Sequence, residues 1–136
     1  MTQPVERDFP DIERLLAAVF APLLGGDEHV GNEAPDNLEA VVPFLRVMRV
    51  GGPRTALYDY PIVELALLTA EDVDGLPMLS RFVNLLLDKP PPHAALDYVD
   101  CDPGPRELAW GDNDAVRHWG ATLFLETRKV RLVPLP

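Results

Sequence analysis

Residues 61–69, PIVELALLT, are apolar on both sides of a strand. Alternation puts Ile62, Glu64, Ala66 and Leu68 on one face and Val63, Leu65, Leu67 and Thr69 on the other. A half-buried strand alternates apolar with polar, so a strand apolar on both faces needs a cover on both faces. Just upstream, residues 43–50 alternate about two arginines, with Arg46 aimed at one face and Arg49 at the other. The two strands and their connection fill residues 41–70, the middle of the chain. Helices can supply one cover. In a chain of 136 residues the second is expected from outside, and another subunit is the simplest source. Residues 51–60 are too many for a two-residue turn, so this loop is expected to project and to be mobile until docked.

At this length the whole chain, residues 1–136, is expected to form one domain with a substantial core. No apolar run reaches the roughly 18 residues that a membrane span needs, so no membrane partner is expected. The N-terminal MTQPVERDFP has neither the basic nor the apolar region of a secretory signal. One cysteine, Cys101, cannot staple the chain internally, which fits a reducing compartment or indifference to redox.

The formal charge of −10 argues against a generic nucleic-acid binder, which needs a basic surface to neutralise phosphates. Residues 1–45 carry nine acids and two bases, and residues 59–102 carry nine and two again. Between those blocks lie Arg46, Arg49 and Arg54, and near the end come Arg128, Lys129 and Arg131. Two readings fit. The basic residues are either edge-strand gatekeepers on an acidic surface or a basic docking face opposed to an acidic one.

The flanking segments complete the outline. Asp8 can cap a first helix that Pro10 helps to start, and its apolar positions Ile12, Leu15, Leu16, Val19, Phe20 and Leu23 fall on one helical face. Gly25-Gly26 stops it. Residues 28–33 fit a short strand, and residues 36–39 one helical turn. Residues 71–88 predict a second helix whose start is weakened by Gly75 and Pro77, so its regular part is expected nearer Pro77. Pro90-Pro91-Pro92 reads as a stiff connector. Residues 94–102 have strand character that residues 106–110 continue, and Asp112 to Asp114 reads as a turn. Residues 119–132 alternate as a half-buried strand, with Phe124 the exception. The expected fold is α+β, in the order α-β-β-β-α-β-β, with a mostly antiparallel sheet and two helices packed on one face.

Chemistry is sparse. His29, His93 and His118 lie at no metal-ligand spacing from one another or from Cys101. Cys101 has no partnered histidine signature and sits where alternation puts a core side chain. Asp100-x-Asp102 and Asp112-x-Asp114 lack the glycine and distal glutamate of a calcium loop. Gly25-Gly26 and Gly51-Gly52 lack the rest of a phosphate cradle. No catalytic, cofactor-binding or metal-binding residue emerges, and neither an enzyme nor a cofactor is expected.

Several pieces in order resemble the tail terminator (tail-completion) proteins of long-tailed, non-contractile bacteriophages. They are Asp11-Ile12-Glu13-Arg14-Leu15-Leu16, Ala21-Pro22-Leu23-Leu24, the Pro35-Asp36-x-Leu38 step, and a strand closing in Arg49-Val50-Gly51-Gly52. Asp59 and Pro61 head the apolar strand, and the end carries Trp110, Asp112, Asp114 and Val116-Arg117-His118-Trp119-Gly120-Ala121-Thr122. Gly75, Pro77 and the proline connector depart from the family pattern. The resemblance implies a structural assembly protein whose subunits form a hexameric ring at the head-proximal end of the tail tube. Such a ring ends tube polymerisation and offers a surface to head-completion and connector proteins, while genomic DNA passes through its lumen unread. It implies a virion protein of the tail–neck junction, assembled in the host cytoplasm. The alternative is another neck component, such as a head-completion stopper or connector-associated protein. On this reading the subunit or ring interface is expected to draw on Arg46, Arg49, Arg54, Asp59, Tyr60, Arg128, Lys129 and Arg131.

Overall fold

The computed structural model of the protein describes residues 7–88, 92–109 and 115–131. Chain order is β1 (Arg7–Asp8), α1 (Ile12–Leu24), β2 (Val30–Gly31), α2 (Leu38–Val41), β3 (Phe44–Gly51), β4 (Tyr58–Asp59), β5 (Ile62–Ala70), α3 (Leu76–Leu87), β6 (Leu96–Cys101), β7 (Arg106–Leu108), β8 (Val116–Arg128) and β9 (Val130–Arg131). The fold is α+β, as expected. The turn expected at Asp112 to Asp114, and Pro90 and Pro91 of the connector, lie outside the described residues.

The main sheet is mixed. β2 runs parallel to β3, and the other pairs are antiparallel. β5 lies between β3 and β8, so the expected central pair forms as β3–β5. Asp59 faces Thr127 and Ile62 faces Phe124, a constant register that makes β4 the forward extension of β5 along one edge of β8. β6 and β7 line the other edge, where Leu123 stands between Val63 and Cys101. β1 and β9 pair separately.

Helices α1 and α3 cover one face, as their apolar stripes require. Leu16 and Phe20 of α1, with Leu79 and Phe82 of α3, pack on Leu45, Val47, Val63, Leu65, Leu67, Trp119, Ala121, Leu123 and Leu125. The Phe20 and Phe82 rings lie 5.1 Å apart. The helical turn expected at residues 36–39 forms two residues later, as α2, and lies on the opposite face. There, Leu38 and Val41 of the short α2, with Ala34 and Val42, cover Phe44, Leu68 and Val116. His29 Nδ1 pins this cover through the carbonyls of Val41 at 2.7 Å and Pro43 at 3.0 Å.

Two local expectations shift. The cap of α1 is Asp11, whose Oδ1 accepts from Glu13 N at 3.1 Å and Arg14 N at 3.3 Å. Asp8 is drawn off into β1, where it pairs with Val130, a partner far away in sequence. Gly75 precedes α3 for a packing reason. A Cβ there would come within 2.6 Å of the Trp119 ring, so the helix can start at Leu76 only with a glycine before it. Trp119 Nε1 donates to Thr69 Oγ1 at 2.9 Å, which satisfies its buried polar group.

Candidate subunit interface

The loop at residues 51–60 is a small hairpin closed within the chain. Thr55 N donates to Tyr58 O at 2.7 Å, and Tyr60 N to Pro53 O at 2.9 Å. Thr55 Oγ1 accepts from Tyr58 N at 3.0 Å and tightens the tip. Gly52 permits the entry. Its φ is +104°, and a Cβ there would collide with the Tyr60 carbonyl.

A carboxylate and two arginines close the base. Arg49 grips Asp59 with two parallel bonds, Nη1 to Oδ2 at 2.7 Å and Nη2 to Oδ1 at 2.8 Å. The same guanidinium donates to Gly51 O and Gly52 O, both at 3.1 Å. Arg54 Nη2 reaches Asp59 Oδ2 at 3.0 Å. Asp59 is 0% exposed. Burial pushes its carboxyl up, but the hydrogen bonds and charges of Arg49 and Arg54 together hold it below the ordinary range. The hydrogen bond to Asp59 likewise raises Arg54. The hairpin expected to project is braced at its base by these contacts within the chain.

The two basic blocks meet beside this hairpin. Phe9 lies between Arg54, 4.8 Å from its ring centroid, and Lys129 Nζ at 5.4 Å. Arg128 stands opposite Tyr58 and binds Asp97 Oδ1 and Ala94 O, both at 3.1 Å. The backbone of Arg131 pairs with that of Arg7 one step away. Of the expected interface residues, the fold therefore gathers Arg54, Asp59, Arg128 and Lys129 at one end of the sheet, with the Arg131 backbone nearby. Arg49 faces inward as the brace. Arg46 stands apart, opposite Ala66 on the face that carries α2.

Among the described residues, that face is covered only at the α2 end. Towards the hairpin, Tyr58, Tyr60 and Ile62 follow one another at alternate positions, and Phe124 faces Ile62 across the sheet. Tyr98 enters from β6 opposite Glu126. The Tyr58 and Tyr60 rings lie 6.2 Å apart. All three tyrosines of the chain thus share one surface. Tyr98 is 56% exposed, Phe124 41%, and Leu57 at the hairpin tip 73%. Exposed aromatic side chains on one face offer area that a partner could bury at little entropic cost. Sequence reasoning missed Tyr58, Tyr98 and Phe124. The available signal was Phe124, a large apolar side chain on the polar phase of its strand.

Elsewhere the geometry offers little chemistry. Burial, with Asp100 and Asp102 beside it, pushes the Cys101 thiol up, so it stays protonated. Among the described residues, no three His, Cys, Asp or Glu side chains form a metal site. Among them too, no helix is long and apolar enough to cross a membrane. A hollow of about 530 Å³ beside α1 is lined by Asp11, Arg14 and His93. Asp11 caps the helix there, and His93 Nδ1 accepts from Ala95 N at 3.0 Å.

A model of the phage tail termination protein family matches residues 8–91. That span runs from the start of α1 through the central strands and the hairpin to the end of α3. The chain belongs to this family. It is a structural protein of the phage tail, hence of the virion, and the family is not an enzyme class. The match contains the brace Arg49–Asp59–Arg54 together with Tyr58 and Tyr60, whereas Tyr98, Phe124 and Lys129 lie beyond it. No curated protein matches the chain.

Proposed function

We propose that this tail termination protein acts as a ring, six-fold as the family resemblance suggests, seated on the head-proximal end of the tail tube. There it ends tube polymerisation and presents a joining surface to the head-completion and connector proteins. The observation that carries this reading is the uncovered aromatic patch beside a braced hairpin. Tyr58, Tyr60, Tyr98 and Phe124 occupy the place where a strand apolar on both faces requires a second cover. In a ring, neighbouring subunits supply that cover.

The interface then draws on Arg54, Tyr60, Arg128, Lys129 and Arg131 at the hairpin end and on Arg46 further along the same face. Arg49 and Asp59 support it from within. The net charge of −10 suits a lumen through which DNA must slide without adhering. Subunits fold in the host cytoplasm and meet on the tube end. Electron microscopy of the protein mixed with tail-tube subunits tests the reading. Tubes of defined length bearing a terminal ring are expected; unrestricted growth with bare ends would end it.

A further inference from the structure

Four exposed apolar side chains lie at the two opposite ends of the β4–β5 strand. At one end stand Leu57 and Tyr58 with Arg54, Arg128 and Lys129 around them. At the other, just past β5, Val73 is 43% and Leu76 38% exposed, and Glu71, Asp72 and Asp74 beside them are exposed too. Tyr58 and Ala70 are separated by about 40 Å along the strand course. Among the described residues, Lys129, Glu71 and Asp72 make no ion pair within the chain. Asp74 Oδ1 is committed to Leu76 N at 3.0 Å.

We infer that the basic, apolar-tipped hairpin of one copy docks on the acidic turn at residues 71–76 of the next copy. The two surfaces match in both respects. Each has an apolar centre, Leu57 and Tyr58 on one side and Val73 and Leu76 on the other. Arg54 and Arg128 are paired with Asp59 and Asp97, and Arg117 donates to Val73 O beside the turn, so the charges left to match are Lys129 against Glu71 and Asp72, opposite in sign. Tip-to-tip packing about a two-fold axis would instead bring Lys129, which has no ion pair among the described residues, towards its own copy, a like-charge contact. Two different patches at opposite ends make the contact heterologous, the kind that runs head to tail and forms a ring where its rotation closes and an open filament where it does not. The brace contributes here as well, because a hairpin already held by Arg49 and Asp59 loses little further entropy on docking.

This inference rests on the proposed ring and is tested separately from it. The full chain is prepared as Cys101→Ser, then with Leu57→Cys, with Val73→Cys, or with both, and treated with a short bismaleimide cross-linker. The chain with both cysteines is expected to yield a ladder of oligomers ending in a closed species, and each single-cysteine chain none. A double-cysteine chain that still caps tail tubes but gives no ladder overturns the docking and leaves the ring reading intact. So does a Leu57→Cys chain that cross-links to itself or to a tube subunit. Unsubstituted protein that fails to cap tubes counts against the ring reading, whereas a ladder formed in solution still supports the contact. Independently, Asp72→Lys is expected to weaken self-association about tenfold, and adding Lys129→Glu to restore it. Association unchanged by either single substitution would overturn the docking.

Discussion

The two faces of the sheet take alternate side chains of the same strands, yet they meet different fates. On the helix side, Val63, Leu65 and Leu123 are 0–1% exposed under α1 and α3. One residue on, Phe124 is 41% exposed, and across the sheet Tyr98 is 56% exposed. The helix face is almost wholly apolar, whereas the open face mixes Phe124, Tyr98 and Ile62 with Arg46, Glu64 and Glu126. Among the described residues, the aromatic side chains of that face are what lies without a cover. Burial on the helix face stabilises the fold, whereas the other face keeps its apolar area available beyond the reach of α2. The faces should therefore respond to truncation in opposite ways, one in stability and the other in assembly.

The largest effect is expected under the helices. Phe20 is fully buried and packs against the tilted ring of Phe82, and Phe20→Ala should cost about 3–5 kcal/mol through lost transfer energy and a residual cavity. Urea unfolding checks this. A small loss there would mean that α1 is loosely held and the contrast between the faces is weaker than drawn.

Next comes the brace at the boundary between the faces. Asp59→Ala removes the buried partner of two arginines and should cost about 3 kcal/mol, since it leaves Arg49 facing inward uncompensated. Arg54→Ala removes a side chain that is 50% exposed and should cost under about 1 kcal/mol. Equal losses in the same unfolding assay would show that Arg54, and not Arg49, is the principal partner of the carboxylate, against the geometry.

The same group sets an acid dependence. The folded Asp59 carboxyl titrates below its ordinary range, so its contribution is complete above the unfolded value of about 4 and is lost as pH falls through the folded value. The stability gap between the protein and its Asp59→Asn variant should thus be constant near neutrality and narrow below about pH 4. A gap that widens on acidification would contradict the assigned direction.

How far the sequence revealed these features depended on how local their causes were. The helical stripe of α1 and the alternation of β3 and β5 arise between near neighbours, and the split of Arg46 and Arg49 to opposite faces could be read directly. The cap of α1 could not, because Asp8 is taken by Val130 through a pairing that spans the chain. Nor could the meeting of Arg54 and Lys129 across Phe9, which requires both chain ends to return to one corner. The brace lay between. Arg49 and Asp59 both stood out as residues, but only closure of the hairpin puts one against the other. Gly75 looked like a flaw in a helix until Trp119 supplied its reason.

The smallest stability change, and the most telling result, is expected on the open face. Phe124→Ser and Tyr98→Ser remove large side chains that touch solvent, so each should shift stability by less than about 1 kcal/mol. Both should nevertheless abolish or strongly reduce the capping of tail tubes, because they remove the aromatic area a neighbour would bury. Unfolding and capping need to be measured on the same preparations. Loss of capping with stability retained would establish that the two faces of one sheet serve different ends. Loss of stability by several kcal/mol would show instead that Phe124 and Tyr98 are covered within the chain, and the contrast between the faces would collapse.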